Sequence, residues 1–187
     1  MKKTRTTVSS TIPARSSRSV LGFCMTFYNL IVSPKILAAS NNYSISMLIT
    51  RKVEFSASHI CRSPRLSEEE NQRIFGLAAN PHGHGHNYVV EVSLRGEPDP
   101  VTGMVLDLKE LKEILTREIV EPYDHRFLNY EVPPFDREIP TTENIARDIW
   151  RRLEPRLNDP RRKLFSVRVY ETDDLYVDYF GEHPCSA

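Results

Sequence analysis

From Met47 onward the apolar residues recur first with a period of two, then with helical spacing, then with a period of two again. That order restricts the fold more than any single motif does. Val53, Phe55 and Ala57 alternate within the run from Met47 to His59, which predicts a half-buried strand. Ser67-Glu-Glu-Glu70 has a Ser at the cap and a Glu three residues later, so a short helix is expected to run to about Phe75, where Gly76 ends it. Asn87–Arg95 carries Tyr88, Val90, Val92 and Leu94 on one side, a second strand, and the segment from Gly96 to Gly103 reads as a turn-rich connection. Asp107 is a candidate cap for a helix over Leu108–Val120, with Leu108, Leu111, Ile114 or Leu115 and Ile119 on its apolar face and Pro122 as its stop. Pro140-Thr-Thr-Glu143 opens a second helix through Ile145, Ile149 and Leu153, with Pro155 near its end. Leu164–Glu171 and Leu175–Phe180 are the last two strands, joined by the tight Thr172-Asp-Asp174 link. Strand, strand, helix, helix, strand, strand describes an α+β domain: a four-stranded antiparallel sheet with two helices on one face. A sheet of that size has open edges, and closing them against other subunits is one common solution, so an oligomer is expected.

The first 46 residues differ from the rest. They are rich in Ser and Thr, carry six basic residues and no acid, and show no sustained period, which reads as a leader that is either disordered, targeting, or an extension upstream of a start at Met47. The domain proper is expected over 47–187. Lys+Arg and Asp+Glu are both 25, so no net field points to nucleic acid, and the portion after the leader is mildly acidic. No apolar run reaches the ~20 residues of a membrane span. Cys24, Cys61 and Cys185 are odd in number and widely spaced, which favours free thiols and a cytoplasmic location, an organellar one being the alternative if the leader is a targeting segment.

Three of the six histidines fall in Pro81-His-Gly-His-Gly-His86-Asn-Tyr88. In extended backbone alternate residues share a face, so His84 and His86 can share one metal ion, and His59 at the end of the first strand is the natural third ligand. The glycines between them are expected to relieve crowding next to the ion. Three neutral imidazoles hold Zn2+ and leave a coordination position for water or substrate, the arrangement of a catalytic site. A fourth histidine would close it, which sets His82 outside the ligand set. The plainer alternative is a flexible His-Gly loop with weak metal affinity.

Several segments together resemble a known family: Phe55-Ser-Ala-Ser-His59, Ser67-Glu-Glu-Glu-Asn71, Asn80-Pro-His-Gly-His-Gly-His-Asn-Tyr88, Asp99-Pro-Val-Thr-Gly-Met104, Asp124-His125, Thr141-Thr-Glu-Asn144 and Val169-Tyr-Glu-Thr172. They are similar, in one register from about Met47 to Glu182, to 6-pyruvoyl-tetrahydropterin synthases and their bacterial relatives, the 6-carboxy-tetrahydropterin synthases. The resemblance implies the tunnelling fold, in which subunits build an oligomeric barrel, here a homohexamer, with pterin sites between them. It implies a lyase acting on 7,8-dihydroneopterin triphosphate with loss of triphosphate, in biopterin, queuosine or folate-precursor branches. His59, His84 and His86 then match the zinc ligands, Asp124 and His125 the proton-transfer pair, Glu171 the carboxylate that anchors the pterin ring, and Thr141, Thr142 and Glu143 a second pterin-contacting segment.

One position departs from the family pattern. Where the resemblance implies a cysteine serving as general base, six residues before His84, this chain has Ala78. Cys61, two residues beyond His59, is a candidate substitute if its thiol is acidified near the metal. The alternatives are a catalytically altered homologue that binds zinc and pterin without turnover and, resting on the ligands alone, a zinc hydrolase.

Overall fold

The structure, a computed structural model, describes residues 46–182. The expected leader lies outside them apart from its last residue, as do Cys24 and Cys185. The strands are β1 (Met47–His59), β2 (His84–Gly96), β3 (Arg126–Phe127), β4 (Arg162–Tyr170) and β5 (Tyr176–Tyr179). The helices are α1 (Glu68–Phe75), α2 (Leu108–Leu115), α3 (Glu121–Tyr123), α4 (Leu128–Glu131) and α5 (Thr142–Leu157). None of these helices is long and apolar enough to cross a membrane.

The sheet has five strands in the order β3-β1-β2-β4-β5. The four long strands pair antiparallel, as the alternation predicts, but β3 adds a short parallel pairing of Ala57 with Arg126 and Ser58 with Phe127, so the sheet is mixed. Two residues are too few to show a period, which is why the four-stranded expectation lacks this strand. The inner face of the sheet carries Phe55, Tyr88, Val90, Val92, Leu94, Val167 and Val169, and the helices meet it with Leu111, Leu115, Ile119, Ile145, Ile149, Leu153 and Leu157, all buried. Each such side chain contributes about 1.5–3 kcal/mol by leaving water. The outer face is polar and aromatic: Lys52 pairs with Glu91 at 2.9 Å, and Arg168 bonds both oxygens of Asp178 while lying over the Tyr176 ring.

The expected caps are present. The Ser67 hydroxyl accepts from Glu70 N–H while Ser67 N–H donates to the Glu70 carboxylate, Asp107 accepts from Lys109 N–H, and Thr141 accepts from Asn144 N–H. One proline reading needs correction. Pro122 does not stop the first long helix: Thr116–Val120 widens to π spacing, Glu121 N–H bonds Thr116 five residues back, and the looser turn admits the ring into α3. Pro155 lies inside α5, which runs two residues past it before Asn158 caps it. Leu108, placed on the apolar face by its spacing, is half exposed at the start of α2.

Candidate metal centre

β1 and β2 stay in register from Met47↔Gly96 to His59↔His84, and Ala57 faces His86. Side chains two apart share a face, so His59, His84, His86 and Tyr88 all turn to the helix-covered side. The ring centroids are 4.4 Å apart for His59 and His84, 5.3 Å for His59 and His86, and 4.9 Å for His84 and His86. One ligating atom from each of these histidines and one oxygen of Glu171 lie within 4.8 Å of one another. The three expected ligands converge, and Glu171 joins them.

The glycines play a different part from the one expected. Gly85 points away from the imidazoles, and a Cβ there would come 3.1 Å from the Ala57 carbonyl oxygen of β1. Gly83 has φ +75°, and a Cβ on it would meet the Phe127 ring at 2.9 Å. They let β2 approach β1 and β3 closely, and so set the spacing of the histidines from behind.

His59 is held from several sides. Its Nδ1 lies 2.7 Å from the Pro140 carbonyl oxygen, which can only accept, so the proton is on Nδ1 and the Nε2 lone pair faces the cluster. Tyr88 Oη is 3.3 Å from that Nε2. The next residue is clamped by one side-chain amide: Ile60 N–H donates to Asn129 Oδ1 at 2.7 Å, and Asn129 Nδ2 donates to Ile60 O at 3.0 Å. Burial pushes the His59 imidazole below its ordinary pKa against the opposing pull of the Pro140 bond, and burial followed by the neighbouring His86 does the same to His84. These two rings are thereby kept neutral, the form that ligates a metal.

Two ring nitrogens test whether the set fits a metal. His84 Nδ1 and His86 Nε2 are buried and make no hydrogen bond. Glu171 Oε1 is 3.2 Å from His86 Nε2, at ion-pair distance but without hydrogen-bond geometry, while the other carboxylate oxygen accepts from the Thr142 hydroxyl. Desolvated nitrogens without partners are costly unless something electrophilic meets them. Three histidines and a carboxylate form a donor set that suits such an ion.

The other expected residues divide. Thr142 is buried against Glu171, at the cluster; Thr141 spends its hydroxyl on the helix cap, and Glu143 is exposed in the first turn of α5. Asp124 and His125 form a pair at 2.8 Å, with the Asp124 carboxyl held below its ordinary pKa by the Ser56 N–H and then by His125. His125 is exposed and is not part of the cluster. It opens onto a cleft lined also by Ser56, Ser58, Asn87 and Phe127, and His86 contributes to the same lining. His82 is exposed and outside the cluster, as expected.

Cys61, the candidate substitute base, stands beside the His59 ring. It is buried, its Sγ lies 3.7 Å from His59 Nδ1, on the side of the ring bonded to Pro140, and burial pushes it up to about 11. Ala78 offers only a methyl group, and its carbonyl accepts from Cys61 N–H. Tyr88, Asn129 and the Pro140 carbonyl escape a reading of the sequence. Tyr88 is visible there only as a core residue, and the other two carry no motif.

Helices on one face of a mainly antiparallel sheet, with three imidazoles and a carboxylate converging beneath them, define a small α+β domain with a metal-type centre. The family model described as 6-pyruvoyl tetrahydropterin synthase matches residues 48–182, and the chain belongs to that family. It is 48% identical over 134 residues to the 6-pyruvoyl tetrahydrobiopterin synthase of Homo sapiens, covering 72% of this chain and 91% of that protein. It is 41% identical to the protein of the same name from Dictyostelium discoideum, covering 74% and 99%. The solved structure of Caenorhabditis elegans 6-pyruvoyl tetrahydropterin synthase superposes with a TM-score of 0.69 at 38% identity, covering 73% of this chain and 96% of that one.

Proposed function

We propose that this chain is a zinc-dependent lyase that converts 7,8-dihydroneopterin triphosphate to a 6-substituted tetrahydropterin of the 6-pyruvoyl or 6-carboxy type, with loss of triphosphate. The observation that carries this reading is the convergence of His59, His84, His86 and Glu171 within 4.8 Å, beside the Thr142 hydroxyl. Zinc held by the three histidines supplies a Lewis acid for the substrate's side-chain hydroxyls. Glu171 presents two oxygens to the paired N–H donors of the 2-amino-4-oxo ring edge, much as a carboxylate meets a guanidinium, and Thr142 fixes the plane of that carboxylate. His125 takes and returns the proton, its ring held in place by the Asp124 carboxylate at 2.8 Å. Because His125 is exposed and outside the ligand cluster of its own chain, the reading includes a homohexamer in which the dyad of one copy serves the metal centre of another.

A second reading has a specific observation behind it. The methyl group of Ala78 leaves the usual base position without a proton acceptor, which favours a homologue that binds zinc and pterin but does not turn over. One experiment separates the two: the purified full chain, with zinc content measured, is incubated with 7,8-dihydroneopterin triphosphate and the products are identified by mass. Triphosphate release that is lost in His84→Ala supports the lyase. Pterin binding without product supports the second reading.

A further inference from the structure

We infer that Glu171 is a fourth, displaceable metal ligand: in the absence of pterin its Oε1 closes the coordination sphere, and pterin opens the sphere by drawing the carboxylate away. This rests on the reading of Glu171 as the ring anchor and goes beyond it. Two atoms bonded to one tetrahedral zinc, each about 2.0–2.1 Å from it, stand about 3.3 Å apart. Glu171 Oε1 and His86 Nε2 are 3.2 Å apart and lack the alignment of a hydrogen bond, so their spacing matches the edge of a shared coordination shell. One oxygen of the same carboxylate belongs to the set of four ligating atoms that lie within 4.8 Å of one another.

The second oxygen explains why the ligand is displaceable. It accepts from Thr142, on the first turn of α5, which holds the carboxylate between the metal position and the helix. A ring edge with two adjacent N–H donors needs both oxygens at once, and an oxygen that accepts such a bond is a poorer metal ligand. Pterin and metal therefore compete for one carboxylate. The vacated position becomes free when a substrate side chain is there to take it, and while the site is empty the carboxylate keeps water off the ion.

Competition makes the two affinities reciprocal. The test uses the full chain, Zn2+ with a competing chelator, and pterin lacking a 6-substituent, which brings no side-chain hydroxyls. In the wild type, zinc is expected to weaken pterin binding about tenfold, and pterin to weaken zinc binding by the same factor. Glu171→Gln is expected to bind zinc about tenfold or more weakly and to lose the coupling. Glu171→Asp keeps the charge but shortens the reach, so it should bind zinc like the Gln variant; its far-UV circular dichroism checks the fold independently. Wild-type zinc affinity in both variants overturns the inference, as does pterin binding that zinc leaves unchanged or strengthens. Absence of pterin binding with and without zinc overturns both the inference and the pterin reading, whereas binding without coupling overturns the inference alone.

Discussion

His125 occupies the left-handed backbone region at φ 58°, a conformation that costs a non-glycine residue about 1–2 kcal/mol. The compensation is local. Its N–H donates to Ser56 O at 2.6 Å, and the Asp124 carboxylate accepts from Ser56 N–H at 2.8 Å, so both polar groups of one β1 residue are spent on holding the dyad. The Asp124 carboxyl titrates below its ordinary value of about 3.9. The unfolded chain therefore takes up this proton first as the pH falls, and the contribution is present above about pH 4 and is lost as the pH drops through the folded-state value. Asp124→Asn is expected to lower the Tm at pH 7, with the gap to wild type closing below about pH 4; a gap that persists undiminished at pH 3 contradicts this. Asn129 gives a second prediction. Asn129→Ala strips partners from the part-buried Ile60 N–H and C=O beside His59, and is expected to cost about 1–3 kcal/mol in urea denaturation. Sequence makes Asp124-His125 visible as a pair, but Asn129 acts on a residue far along the chain and has no local signal.

Among the elements, the end of the helical run through α3 is fastened to α5 by a group of three, Tyr123 and Asp148 buried and Arg152 half-buried. The Tyr123 hydroxyl donates to Asp148, Arg152 Nε donates to the same carboxylate at 2.7 Å, and Arg152 also reaches the Pro133 carbonyl at 2.9 Å. Asp148 is 7% exposed, so Asp148→Ala leaves the buried Tyr123 phenol without its acceptor and the half-buried Arg152 with only the Pro133 carbonyl, and is expected to cost about 1–3 kcal/mol by chemical denaturation. Tyr123→Phe should cost less, because the ion pair survives. Because Tyr123 precedes the Asp124–His125 pair directly, the same contact fixes where the dyad leaves the helix. The caps at Ser67, Asp107 and Thr141 are legible because each depends on residues three or fewer positions apart. The continuation through Pro122 is not, because whether proline ends a helix depends on the spacing of the turn before it, and that is set by packing.

For the molecule as a whole, the four long strands and the helical layer follow from periodicity, and the three histidines from their spacing on two of those strands. Glu171 in the ligand cluster was not foreseen, since its proximity comes from β4 lying beside β2, a pairing across some eighty residues of sequence. Removing metal with a chelator is expected to lower the Tm. At free metal a thousandfold above its Kd, the bound ion stabilises the fold by about 4 kcal/mol, and a Tm indifferent to chelator would count against a native metal centre. Sedimentation of the full chain at micromolar concentration is expected to give six copies, and a monomer would remove the shared-site arrangement. The uninterrupted pairing of β1 with β2 has a consequence for how such chains change length over time. One residue added or deleted between Met47 and His59, or between His84 and Gly96, would turn at least one imidazole to the far side of the sheet. Natural variants should therefore vary in length in the stretches 60–83 and 97–107, and keep a fixed count along the two ribbons that carry the histidines.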